Sequence, residues 1–111
     1  MSLILAYQGL GKTVDVTIKD VNGDAITPGE NDLVRATIGR AGETPVLTVT
    51  SDAPTANGSS FTKGAACRLR LDADDLGFAA GTYSLSVEYF DRADASEWKM
   101  IEKQVFQLEV S

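Results

Sequence analysis

Gly81-Thr82-Tyr83-Ser84-Leu85-Ser86-Val87-Glu88-Tyr89-Phe90 places Tyr83, Leu85, Val87 and Tyr89 on one face of an extended chain, with Ser84, Ser86 and Glu88 on the other. An apolar period of two belongs to a strand, so this stretch predicts one face in a core and one in water. The pattern recurs outward in both directions. Lys12 to Lys19 sets Val14, Val16 and Ile18 against Thr13, Asp15, Thr17 and Lys19, and Asp32 to Ile38 aligns Val34, Ala36 and Ile38. Val46 to Thr50 alternates Leu47 and Val49 with threonines, Ala65 to Leu71 aligns Cys67, Leu69 and Leu71, and Trp98 to Val110 directs Phe106, Leu108 and Val110 inward.

Turn chemistry separates these runs. Asn22-Gly23 supplies the positive φ of a tight turn, and Pro28-Gly29 ends a short expected strand at Ala25-Ile26-Thr27. Gly39-Arg40-Ala41-Gly42 closes another strand, and the polar run from Ser51 to Ser60, with Pro54 and Asn57-Gly58, is expected to be a mobile loop. Asp72 to Leu76 predicts one acidic turn of helix or a corner, and Asp91 to Glu97 a polar hairpin tip. Nowhere does a helical period outlast a single turn. About seven or eight strands at such spacing define an all-β chain, expected to be an immunoglobulin-like antiparallel β-sandwich. In such sandwiches a tyrosine opening the penultimate strand bonds back to the preceding corner, and Leu76 with Gly81-Thr82-Tyr83 fits that arrangement.

A chain of 111 residues supports one domain. We divide it into an N-terminal apolar arm at 1–11 and a single β-sandwich domain at 12–111. A net charge of −6 repels phosphate backbones, so no nucleic-acid partner is expected. Arg68 and Arg70 alternate with leucines and belong to a solvated strand face. The chain has no histidine, which removes the commonest general base and the usual transition-metal ligand. We therefore expect no enzyme, no catalytic residue and no cofactor. Cys67, the single cysteine, lies on an apolar face and reads as a small hydrophobe. No run approaches the ~20 apolar residues that span a bilayer, so no membrane partner is expected. The first residues lack a positively charged leader, so synthesis and folding in a cytoplasm are expected.

Several clusters invite a site. Asp20, Asn22 and Asp24 form the opening of a calcium loop, but the nearest downstream carboxylate, Glu30, follows a Pro-Gly break. Asp72, Asp74 and Asp75 read as helix capping, and Asp91, Asp94 and Glu97 as a solvated tip. None has the oxygen count of a calcium site, and no metal ligand is assigned. Gly11-Lys12-Thr13 ends like a phosphate loop, yet the required upstream glycine is Ala6 and a strand follows where a helix should. The remaining feature is the apolar run Leu3-Ile4-Leu5-Ala6-Tyr7. Left in water it is an aggregation edge. Either it pairs with its own sheet or it docks on a neighbouring subunit. A homo-oligomer is the expectation, with Leu3, Ile4, Leu5 and Tyr7 at the interface.

Across residues 12–110 the chain resembles a known kind of domain. The residues that carry the likeness are Val14-Asp15-Val16-Thr17-Ile18-Lys19-Asp20, Asn22-Gly23, Ala25-Ile26, Val34 to Ile38, Gly81-Thr82-Tyr83, and Phe106, Leu108 and Val110. The frame resembles the small β-sandwich domains of tailed-phage virions, of the type found as the N-terminal domain of phage baseplate upper proteins. The resemblance implies a structural part of a tail, baseplate or head-associated assembly, made in the host cytoplasm and then carried in the virion. It implies partners among virion proteins and carries over no catalytic residue. The alternative is a carbohydrate- or protein-binding immunoglobulin-like module of a surface or secreted multidomain protein.

Thermal melts in calcium and in chelator should coincide. A shift of several degrees would establish a calcium site at Asp20, Asn22 and Asp24, because a ligand bound only by the native state raises stability by mass action.

Overall fold

The alternating stretch at 81–90 forms one strand, the middle member of a sheet, in the computed structural model, which describes residues 3–19, 22–90 and 99–110. In chain order the strands are β1 (Leu3–Tyr7), β2 (Lys12–Val16), β3 (Leu33–Gly39), β4 (Leu47–Thr50), β5 (Ser60–Thr62), β6 (Cys67–Leu71), β7 (Gly81–Phe90) and β8 (Lys99–Glu109). One 3-10 turn, Ala73–Leu76, joins β6 to β7. The larger sheet runs β1-β8-β7-β3-β4 and the smaller β2-β6-β5. Their inner faces meet, and the chain is an all-β sandwich. The pairs are antiparallel with one exception, β1, which runs parallel to β8.

The core follows from the pleat. Leu85 lies opposite Ile38, Val87 opposite Ala36 and Tyr89 opposite Val34 on one side, and Tyr83 opposite Phe106 on the other. All are buried, and the smaller sheet meets them with Val16, Phe61, Cys67, Leu69 and Leu71. A slip of one residue would turn each of these rows to water, so the burial pattern fixes the register. Between Val87 and Glu88 the pairing with β8 shifts and leaves Ile101 as the extra residue of a bulge, packed against the core.

The corner before β7 is built as its sequence predicts. Asp72 caps the 3-10 turn, its carboxylate accepting from the Asp74 N–H at 3.0 Å, and Leu76 is fully buried. The Tyr83 hydroxyl donates to the Ala79 carbonyl at 2.6 Å. Phe78 meets the Tyr83 ring edge-on at 5.0 Å, and the Arg40 guanidinium lies 4.3 Å from the ring centroid. Gly81 has φ +150°, which favours glycine, and a Cβ there would sit 2.5 Å from the Arg40 guanidinium and push it off the Tyr83 ring. At the opposite end of the sandwich, the Lys63 ammonium donates to the carbonyls of Gly29, Glu30 and Asp32 at 2.8–2.9 Å. It joins the chain after β5 to the turn before β3.

Four expectations are corrected. Ala25-Ile26-Thr27 is not a strand: it makes a single bridge, Ala25 to Lys19, with Ile26 N–H donating to Ile18. Between Asn22-Gly23 and Pro28 there is room for little more. Val110 points to solvent at 72% exposure, because it lies past the last residue of β8 that β1 covers. Val14 is only partly buried, on an edge strand. The run from Ser51 to Ser60 is tethered rather than mobile: the carboxylate of Asp75 accepts hydrogen bonds from Thr55, Asn57 and Ser59. Asp20, the tip from Asp91 to Glu97, and Trp98 lie outside the described residues.

Leu85 fills the centre of the inner face with no exposed surface. Replacing it with Ala should cost about 2–5 kcal/mol in denaturant unfolding, the range for a buried leucine whose cavity collapses only in part. A cost below 1 kcal/mol would mean that the sheets do not pack through this strand.

Candidate interaction surface

The apolar run at the N-terminus becomes an edge strand, and its alternation splits the expected interface residues. Ile4 is buried with Ala6 against the core, whereas Leu3, Leu5 and Tyr7 face outward at 63%, 40% and 42% exposure. Parallel pairing sets Leu3 beside Val105, Leu5 beside Gln107 and Tyr7 beside Glu109 on β8. Of the four residues, three therefore form an exposed strip and the fourth anchors it. In this chain β1 pairs with its own sheet.

The backbone of the strip is as informative as its side chains. Gln8 N–H donates to Glu109 of the β8 segment at 2.9 Å. In a parallel ladder the residues that bond a given neighbour alternate, so Ile4 and Ala6 direct their N–H and C=O groups to β8. Leu3, Leu5 and Tyr7 direct theirs away, to the open side of the sheet. Among the described residues no strand pairs there, and only the Tyr7 carbonyl is engaged, by Leu10 N–H at 3.2 Å. Apolar side chains and open backbone groups thus coincide on the same three residues.

Val105 continues the strip beside Leu3, and Met100 and the Leu33–Phe90 pair lie at the far end of the same face, which is otherwise polar and bonded within itself. Arg35 and Glu88 form a two-pronged ion pair at 3.0 Å across β3 and β7. The Thr82 hydroxyl donates to the Gln107 side-chain oxygen at 2.6 Å, and the Gln107 amide donates to Glu109 at 3.1 Å. A shallow polar hollow of about 160 Å³ lies between Arg40, Glu43 and Lys103. A second hollow, of about 380 Å³, opens between β4 and β5 and is lined by Asp52, Phe61 and Lys63 among others.

The acidic residues before Leu76 separate into different tasks. Asp72 caps the turn, and its N–H donates to the Ser59 hydroxyl at 2.8 Å. Asp75 is the hub of the loop: its carboxylate accepts from Thr55 at 2.6 Å, Asn57 at 2.9 Å and the fully buried Ser59. Burial pushes the Asp75 carboxyl up, but these hydrogen bonds together outweigh it and hold the group below the usual carboxylate range. Among the described residues no three metal-ligating side chains converge. Cys67 is buried, and burial raises its thiol above the ordinary value despite the Gly64 carbonyl and nearby Lys63.

Sequence reasoning found the strip and missed the hub. Thr55, Asn57 and Ser59 are separated from Asp75 by the two strands β5 and β6, and polarity alone gave no sign that they face one carboxylate. The alternation of hydrogen-bonding residues in the Thr-x-Asn-x-Ser run is the signal that was available. The chain matches no protein-family model and no curated protein sequence.

The depressed Asp75 fixes the sign of one acid effect. The unfolded carboxyl takes up its proton at a higher pH than the folded one, so the hub's contribution is complete above about pH 4 and is lost as pH falls through the folded value. Asp75→Asn should remove that part of the acid-unfolding slope. At neutral pH it should destabilise by about 1–3 kcal/mol, since the donors then face an amide. Unchanged stability across this range in Asp75→Asn would sink the hub.

Proposed function

We propose that the chain is a non-enzymatic structural and interaction module that acts through the outer face and edge of β1. The observation that supports this is the coincidence on Leu3, Leu5 and Tyr7 of exposed apolar side chains with open backbone groups. An open strand edge of this kind is a template for another chain, and proteins that stay single blunt it with charge, proline or a bulge. The β1 sequence uses none of these devices. Next to it Gln107 and Glu109 are polar and bonded to one another, which bounds the strip beside Leu5 and Tyr7, while Val105 extends it beside Leu3.

The assembly we favour is a phage or prophage particle, as a tail, baseplate or head-associated component. The sequence resemblance supports this reading, and the strand order is compatible both with it and with the alternative. The sets β2-β6-β5 and β8-β7-β3, with a tyrosine corner at the start of the penultimate strand, fit an immunoglobulin-like arrangement. Partners are then virion proteins and other copies of the chain. The alternative, a ligand-binding module of a surface protein, has less support, because both hollows are shallow and the one aromatic side chain that lines them, Phe61, is itself buried in the core.

Mass spectrometry of particles purified from an induced culture of the source organism tests the role. The chain should copurify with tail or head proteins in a fixed ratio that survives nuclease and high salt. Its recovery only in the particle-free fraction would overturn the virion reading.

A further inference from the structure

The edges of the two sheets differ in what they offer a partner. β5 has three residues, and β2 carries Lys12 and Asp15, the latter paired with Arg68 at 3.0 Å. β4 presents threonines to the outside, and its end is occupied by the bridge from Thr50 to Ala53. β1 alone is apolar on both faces and free of charge from Leu3 to Tyr7.

Its sequence also has a symmetry that the other edges lack. The open backbone groups are those of Leu3 and Leu5 and the N–H of Tyr7, so an incoming antiparallel strand must bond those residues. In a two-fold pairing centred on Leu5, Leu5 meets its own copy and Leu3 meets Tyr7, twice. These are the hydrogen-bonded positions of the ladder: Leu5 and its copy exchange both bonds, while Tyr7, whose carbonyl is held by Leu10 N–H, gives its N–H to the Leu3 carbonyl of the other copy. Every outward contact is then apolar on apolar, and the buried face continues with Ile4 opposite Ala6. A two-fold centred on Ile4 or Ala6 engages fewer of the open groups.

We infer that the β1 edge pairs antiparallel with the β1 edge of a second copy of this chain, about a two-fold axis through Leu5, joining the two larger sheets into one. The inference rests on the proposed interaction role and names the partner of that surface. The same patch serves both copies, as a closed two-fold interface requires. Three outward side chains per copy and a short backbone edge fall below the ~1,000 Å² that stable interfaces exceed. Pairing is therefore concentration-dependent. The net charge of −6 on each copy opposes it, so added salt strengthens it by screening.

Cysteine cross-linking reads the register directly. Hydrogen-bonded antiparallel pairs place Cα atoms about 5.5 Å apart, within the span of a disulfide. The native Cys67 is buried and stays out of the reaction. Leu5→Cys should form a disulfide-linked dimer under mild oxidation, at least tenfold faster than Leu3→Cys or Tyr7→Cys alone. A mixture of the last two should cross-link to each other, which gives a second reading if Leu5→Cys folds poorly. In light scattering, the unmodified chain should rise in mass with concentration, and Leu5→Lys should hold it at the monomer mass. Equal rates for all three single cysteines, or association unchanged in Leu5→Lys, would overturn the pairing. A chain that stays monomeric at millimolar concentration and high salt would also overturn it. The virion role would then still stand or fall on the particle analysis, with the edge serving a strand of another protein.

Discussion

The inward row of β7, Tyr83, Leu85, Val87 and Tyr89, is the surface on which both sheets depend, because it lies in the middle of the larger sheet and faces the smaller one. Each of its residues is opposed by a buried partner on β3 or β8, so the register of three strands is settled by one hydrophobic row. The smaller sheet then has one way to close. Leu69, Leu71 and Val16 must meet that row or remain in water.

Burial of this kind has no direction, and the ends of the sandwich are closed by polar contacts that do. At one end the tyrosine corner and the Asp75 hub hold β5, β6 and β7 together. Thr55, Asn57 and Ser59 bring the long connection after β4 to the turn that starts at Ala73. At the other end Lys63 gives its ammonium to three carbonyls, while the carboxylate of Asp32 accepts from Gly29 N–H and the Tyr89 hydroxyl. Both devices satisfy backbone or side-chain groups that would be costly to leave unpaired. They convert loops into parts of the fold.

The same economy is missing at β1. Its inner residues complete the core beside Phe106 and Leu108, and its outer residues remain in water with the backbone edge open. A monomer gains from the first and is exposed by the second. Parallel pairing with β8 is what produces this division, since it turns the N–H and C=O groups of the outward residues away from the sheet. An edge of this composition has a physical reason to be covered, and Gln107 and Glu109 beside Leu5 and Tyr7 give the covering surface a boundary.

Much of the fold was legible because an alternating pattern is a local property that points to a core whatever lies across it. The row at 83–89, the faces of Val34 to Ile38 and Leu69 to Leu71, the capped acidic turn and the tyrosine corner all follow from residues a few positions apart. Ala25-Ile26-Thr27 did not, because a strand exists only when a partner has room to pair, and Val110 did not, because burial needs a neighbour that reaches as far. The strip at Leu3, Leu5 and Tyr7 was visible as apolar sequence. Which of its residues stay in water depended on the parallel pairing with β8. The Lys63 clasp was invisible and the Asp75 hub was hinted at only by the alternating Thr-x-Asn-x-Ser run, since both join residues distant in sequence through single polar atoms, and the sequence does not say which atoms those are. Local alternation thus determined the strands and the core, and only the tertiary structure decided which edge stayed open.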